Sequence, residues 1–238
     1  MVNDGTYKFF FSISQGKLEL AMGVNVVEYN DGNPIHYNPG IPADLSEGLF
    51  SRDDLSYVYY PYLPGAEYDA INKTVKGEWD RENPMGVGEF PIEIGFYHVE
   101  VSYKGNEAFF AEEYSGDMNV VKAKTQFEVE DRVKYAYALD DNKQQIYRTY
   151  DYVQSLARLR TVGSNFEIWN YAAADSSLIV VKYYDSKTGK FEPIGNTAAT
   201  AGWHFKQGDY TYLLEFIGDE HYEGCTLNVV MTITPAEF

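Results

Sequence analysis

Polar and apolar positions alternate along much of the chain, the mark of strands that bury one face and wet the other. The clearest stretch is Tyr97-His98-Val99-Glu100-Val101-Ser102-Tyr103, with apolar or aromatic residues at odd positions and polar ones at even positions. This pattern puts His98 on a solvated face. A second row runs through Val121, Ala123, Thr125, Phe127 and Val129. Further strands are predicted at Tyr7–Ile13, Lys17–Leu20, Val24–Tyr29, Leu178–Tyr184, Tyr210–Phe216 and Leu227–Ile233. Turn clusters such as Asn30-Asp31-Gly32-Asn33 and Asp185–Lys190 separate them. Residues 33–56 carry Pro34, Pro39, Gly40, Pro42 and Gly48 and read as an elaborated loop. One segment departs from period two. Across Lys143–Arg160, Ile146, Tyr150, Val153 and Ala157 fall on one helical face, so a short helix is expected, although the Tyr and Thr content also permits a strand.

The pattern repeats. Gly95–Phe109 aligns without a gap on Gly208–Tyr222, every pair 113 positions apart. Gly95 and Gly208 open the strands. Tyr97 and Tyr210 follow, and Tyr103 and Phe216 close the alternating rows. Gly105-Asn106 and Gly218-Asp219 make a corner, and Phe109 and Tyr222 return to the core. The closing strands are expected to correspond after about nine extra residues in the first copy. A weaker match sets Val26–Tyr29 against Val180–Tyr183.

This motif resembles the end of the bacterial and archaeal immunoglobulin-like repeats of large surface and adhesin-like proteins. Those repeats carry a motif of the form G-x-Y-x-V-x-Y-x-G-(N/D)-x-x-Y before a last strand. The resemblance implies an all-β fold of two tandem immunoglobulin-like β-sandwiches, here with loop insertions and one short helix. The segments 33–75, 110–119 and 131–165 read as departures from the family pattern. The expected boundary lies near Glu130-Asp131, giving domains 1–130 and 131–238, the first with a long acidic, Tyr-rich insertion.

Composition sharpens this picture. Of 238 residues, 22 are Tyr and 14 Phe against 13 Leu, which suits pleated, half-buried surfaces better than helical bundles. The net charge is −17, and residues 1–130 hold 22 acidic and 9 basic side chains. Such a surface repels phosphate backbones, so nucleic acid is not an expected partner. There is no apolar run of transmembrane length, so membrane insertion is not expected. The first twenty residues do not read as a signal peptide. A single cysteine, Cys225, excludes an internal disulfide and cysteine-based metal clusters.

Candidate chemistry is sparse. His36, His98, His204 and His221 show no metal-ligand spacing, and no nucleophile elbow, P-loop or dinucleotide fingerprint is present. No catalytic residue, metal site or cofactor is therefore assigned. The carboxylate pairs Glu112-Glu113, Asp53-Asp54 and Asp219-Glu220 could bind calcium through oxygen ligands, and none has EF-hand spacing. Tyr57, Tyr59, Tyr60, Tyr62 and Tyr68, with Trp79, form the densest aromatic stretch. Their rings either stack on sugars beside acidic acceptors or fill a sandwich core. Asn72-Lys73-Thr74 is a glycosylation sequon, meaningful only in a eukaryotic secretory pathway. Lys8 and Asn228, conceivable partners in an isopeptide crosslink, fall in different domains.

The expectation is a non-enzymatic structural or adhesive module at a microbial surface or on a phage virion. Its partners would be a protein or glycan surface ligand and neighbouring repeats of a larger chain or assembly. A carbohydrate-binding module using Tyr57, Tyr59, Tyr60, Tyr62 and Trp79 is the alternative.

Overall fold

The computed structural model describes residues 14–43, 45, 49–86, 88–136, 149–164, 166–170, 179–193 and 207–235. The strand expected at Tyr7–Ile13, together with Ile146 and His204, lies outside them. The chain divides into two compact units, Met1–Val121 and Lys122–Phe238. Both are all-β apart from one short helix and one 3₁₀ turn among the described residues.

The first unit is built on a four-stranded sheet. Its strands are β1 (Val24–Glu28), β2 (Leu55–Pro61), β5 (Gly95–Tyr103) and β6 (Glu112–Val121), in the order β1-β6-β5-β2. A hairpin of β3 (Glu67–Asp69) and β4 (Thr74–Lys76) is inserted after β2. Alternation decides which side chains go inside. Leu55, Tyr59, Tyr97, Val99, Val101, Tyr103, Met118 and Val120 face inward. They meet Leu18, Leu20, Ile35 and Tyr37 from the opposing layer, whose segments join through an Ala21–Gly40 bridge.

The second unit has two sheets. One is ordered β12-β11-β13-β14-β8, with β8 (Arg132–Ala136), β11 (Ile179–Asp185), β12 (Lys190–Pro193), β13 (Gly208–Phe216) and β14 (Cys225–Thr234). The other is β10-β9-β7, with β7 (Thr125–Glu128), β9 (Arg158–Thr161) and β10 (Glu167–Asn170). Helix α1 (Thr149–Leu156) precedes β9, and Val153 and Ala157 enter the core with Leu159, Trp169, Tyr212 and Met231. The helical reading of Lys143–Arg160 thus holds over Thr149–Leu156, while Arg158–Arg160 are strand.

The two units share one register. Gly95 pairs with Val120 and Tyr103 with Glu112; Gly208 pairs with Ile233 and Phe216 with Cys225. Each of these residues lies 113 positions from its counterpart. The closing strands therefore correspond with no gap, and residues 110–119 are not an insertion but the start of β6. The row through Thr125 and Phe127 is not the closing strand of the first unit, because β7 pairs with β9 of the second. The boundary accordingly moves from Glu130 to Val121. The match of Val26–Tyr29 with Val180–Tyr183 also fails. Val24 stands opposite Asp117 and Arg132 opposite Val230, so β1 corresponds to β8; Leu55 opposite Tyr103 and Ile179 opposite Phe216 make β2 the counterpart of β11.

The repeated motif is explained by its corner. Gly105 has φ 79° and Gly218 φ 84°, and a Cβ would come within 2.7 Å of the Ala111 nitrogen or 2.8 Å of the Gly224 nitrogen. Only glycine fits both demands. The Oδ1 of Asn106 accepts from the Ala108 and Phe109 amides, and that of Asp219 from the His221 and Tyr222 amides. The same turn is written with an amide once and a carboxylate once. Gly95 and Gly208 have φ 155° and 152°. Two residues on, the Tyr97 hydroxyl donates to the Glu93 carbonyl at 3.0 Å, the tyrosine corner of immunoglobulin-type sandwiches.

Candidate functional site

The Tyr-rich strand β2 splits its aromatic residues between two faces. Tyr57 and Tyr59 point into the core and lie stacked, 6.3 Å apart and 17° from parallel. Tyr59 is fully buried, and its hydroxyl accepts the Tyr37 amide at 3.0 Å. Burial pushes the Tyr59 phenol up to about 12. These two residues are core, not a ligand platform. Tyr68 sits opposite Val75 in the inserted hairpin.

Tyr60 and Tyr62 point to the outer face. After the hairpin the chain returns along the free edge of β2: Leu63 donates to the Glu78 carbonyl, Asp80 to that of Pro61 and Met85 to that of Tyr59. This return pairs Trp79 with Tyr62 and lays the indole over His98, ring centroids 4.1 Å apart and planes 14° from parallel. His98 is 8% exposed, so the solvated position that alternation implied is covered by the insertion. Its Nδ1 lies 3.0 Å from Asp117 Oδ1, which also accepts the Tyr62 hydroxyl at 2.8 Å. Burial, then the Asp117 hydrogen bond and charge, raises the Tyr62 phenol well above its ordinary range. Tyr60 donates to Glu100 Oε2 at 3.0 Å and is raised by burial first and that carboxylate second. The Arg81 guanidinium stands 4.6 Å from the Trp79 ring centroid, a cation–π distance.

Of the five aromatic candidates, three therefore converge: Tyr60, Tyr62 and Trp79, all half-buried. Sequence reasoning missed His98, Asp117 and Arg81. Period two already put His98 beside Tyr60, but Asp117 lay in a segment read as an insertion. The polar end of the same face carries a groove of about 420 Å³ lined by Val58, Glu100, Ser102, Glu113 and Ser115. In the second unit, a groove of about 720 Å³ is lined by Phe127, Val129, Val133, Tyr152 and Leu156 with Glu128, Glu130 and Lys134 at its rim.

The other singled-out groups have ordinary partners. Asp54 pairs with Lys104 at 3.2 Å, and Glu112 with Lys17 at 3.5 Å. Asp219 is occupied by its turn. Among the described residues, no three His, Cys, Asp or Glu side chains are grouped to hold a metal ion. Burial raises the Cys225 thiol above its usual value, so it is less reactive than a free thiol. No helix among the described residues is long and apolar enough to cross a membrane.

No protein-family model and no curated protein matches the chain. Among solved structures, the Drosophila N-cadherin EC1-4 crystal structure matches 92% of this chain and 50% of its own at 12% identity, TM-score 0.24. A SusE-like surface-located polysaccharide-binding protein from the Bacteroides thetaiotaomicron heparin utilisation locus matches 92% and 34% at 11% identity, TM-score 0.22. Zebrafish RET cadherin-like domains 1 to 4 match 78% and 42% at 13% identity, TM-score 0.18. The chain spans half or less of each of those chains. Superpositions this loose say nothing of function, and the immunoglobulin-like character of each unit rests on its own strand order, register and corner.

Proposed function

We propose that the chain is a non-catalytic pair of immunoglobulin-like modules from an adhesive or display protein, of the bacterial immunoglobulin-like repeat type, working as a spacer on a microbial surface or a virion. The observation that supports it is the shared register: two sandwiches written on one 113-residue offset, with their aromatic rows turned into cores. The chemistry found outside those cores is closed on itself. Asp117 is shared by Tyr62 and His98, and Trp79 by His98 and Arg81. A spacer of this kind offers no saturable site. Glycan arrays and pull-downs on insoluble polysaccharide test it, and the expected result is no specific retention.

The second reading is a glycan-binding module. It is favoured by the difference between the repeats. The cross-strand pair His98–Asp117 corresponds to Thr211–Val230, so the fold itself does not require the first unit's aromatic cluster. Tyr60, Trp79 and Glu100 would then supply a ring face and an acceptor. Saturable binding abolished by Tyr60→Ala, with the melting temperature unchanged, would establish this reading over the spacer. Calcium in an acidic loop belongs to the same reading and would show as a calcium-dependent rise in melting temperature.

A further inference from the structure

The two units differ outside their shared sheets. In the first, the β3–β4 hairpin holds Ile71 at its tip, and this side chain is 93% exposed. Single apolar residues on a surface are ordinary; the bracing of this one is not. Asp69 Oδ1 accepts the Ile71 and Asn72 amides, each at 3.1 Å, and Oδ2 accepts the Asn72 side-chain amide and the Lys76 ammonium, each at 2.8 Å. One carboxylate thus fixes the turn and presents the isoleucine in a single place. Lys73 follows with a left-handed φ of 52°, its side chain exposed and without an acidic partner among the described residues.

The second unit carries the opposite shape. Its groove of about 720 Å³ is lined by Phe127, Val129, Val133, Tyr152 and Leu156, with Val133 buried and Leu156 42% exposed. The lining is fixed as firmly as the hairpin tip. The Tyr152 hydroxyl donates to the Lys134 carbonyl at 3.2 Å, and its ring meets that of Tyr135 edge-on at 4.9 Å, so α1 is fastened to β8. Three charges stand at the rim. Glu128 is engaged by Arg160 at 2.9 Å. Lys134 and Glu130 are exposed, and Glu130 pairs with no cation among the described residues. The tip therefore offers an apolar side chain beside an unpaired cation, and the groove offers an apolar lining beside an unpaired carboxylate. Among the described residues, the hairpin belongs to the first unit alone and α1 to the second alone.

We propose that the groove of the second unit takes the hairpin tip of a second copy of this chain, Ile71 entering the apolar lining and Lys73 reaching Glu130. One surface meets a different one, so every copy offers a tip and a groove at once, and copies join in rows rather than closed pairs. Burial of Ile71 and Leu156 drives the contact, against the mutual repulsion of chains that each carry a net charge of −17. A hairpin tip covers less than the roughly 800 Å² per partner of a stable complex. The contact is accordingly weak between free copies and gains strength where many copies are held side by side. This goes beyond the spacer reading, since it says how neighbouring spacers engage one another.

The test is disulfide trapping between copies of the full chain in a Cys225→Ser background. Lys73→Cys and Glu130→Cys are made as separate variants, one labelled with heavy nitrogen, and mixed under mild oxidation so that intact mass distinguishes mixed from like-with-like dimers. Both positions are exposed, and melting temperatures equal to the parent's establish that the fold is intact. The disulfide replaces the charge pair, so trapping reads the apolar contact. Mixed dimers are expected to form severalfold faster than either like-with-like dimer. Ile71→Ser in the first variant, or Leu156→Ser in the second, should bring them down to the like-with-like rate. Mixed dimers that form no faster than like pairs, or a rate indifferent to Ile71→Ser, would overturn the proposal. So would faster closure within one chain than between chains when both cysteines are placed in a single copy at high dilution, because the tip would then sit in its own groove. None of these outcomes touches the spacer reading, which fails only if saturable glycan binding is found.

Discussion

His98 stands directly opposite Asp117 across β5 and β6, and the same two register positions in the second unit hold Thr211 and Val230. The molecule thus contains its own control. One scaffold position is occupied by a hydrogen-bonded ionisable pair, His98 buried and Asp117 half-buried, in one copy and by an ordinary strand pair in the other.

Asp117→Val removes the acceptor of both Tyr62 and His98 and leaves one buried and one half-buried polar group without it. A loss of ~2–4 kcal/mol in the first unit is expected. The double variant His98→Thr with Asp117→Val copies the second unit and removes one of the stranded groups, so it should cost less than the sum of the two single changes. Denaturant unfolding followed by peptide-resolved hydrogen exchange reads both. Strict additivity would mean that the pair is not coupled.

Trp79→Ala uncovers His98 and detaches the returning segment from Tyr62. A destabilisation of ~2–3 kcal/mol confined to the first unit is expected, below the full cost of a buried tryptophan because the indole is half-exposed. Exchange protection in Arg132–Ala136 and Cys225–Thr234 should not change. Equal loss in both units would contradict the division at Val121.

The corner glycines should be less replaceable than the corner side chains. Asn106→Ala and Asp219→Ala each remove an acceptor of two amides, for ~1–2 kcal/mol in the respective unit. Gly105→Ala and Gly218→Ala add both a left-handed strain and a clash with backbone, and should cost more than that, above ~2 kcal/mol. Melting curves of the four variants would rank them, and a silent Gly105→Ala would refute the tight corner.

Alkali should weaken the fold through its tyrosines. Tyr59 stays protonated in the folded state to about 12, and Tyr37, Tyr57, Tyr62 and Tyr97 are raised in the same direction, each mainly by burial. A raised folded value means that the folded state holds protons the unfolded state has lost. The stabilisation is complete below about pH 10 and is lost as pH rises through the folded values, by about 1.4 kcal/mol per unit of pH for each proton of difference. Unfolding free energy should be flat from about pH 7 to 9 and fall above about pH 10. Phenolate absorbance and far-ultraviolet dichroism recorded together check this, and unchanged stability to about pH 11.5 would contradict it.

Much of this architecture was legible because period-two alternation is a local signal. The inward residues Tyr97, Val99, Val101, Tyr103, Tyr212, Leu214 and Phe216 could be read from the sequence, as could the repeated corner. The boundary could not. Thr125 and Phe127 alternate as a strand whichever sheet they join, and only their pairing with Thr161 and Leu159 assigns them to the second unit. β6 was hidden for a related reason: Glu112, Glu113, Gly116 and Asp117 look like a loop until β5 and β1 supply its partners. The aromatic cluster was half legible. The density of tyrosine was plain, but which rings met depended on an insertion folding back to place Trp79 on His98, a contact between residues with no periodic relation.

A single register serves both units, and engineered disulfides test it most directly. Ser102 lies opposite Glu113, and Glu215 opposite Thr226, both at outward-facing positions. The Asp117 amide donates to Gly23, so this set of β6 positions turns its backbone toward β1, and these are non-hydrogen-bonded pairs with Cα atoms about 4.5 Å apart, within reach of a bridge. In a Cys225→Ser background, Ser102→Cys with Glu113→Cys and Glu215→Cys with Thr226→Cys should both oxidise readily and raise the melting temperature, while Ser102→Cys with Lys122→Cys should stay reduced. Ready closure of the Ser102–Lys122 pair, or failure of either of the first two while the protein remains folded, would contradict the shared register.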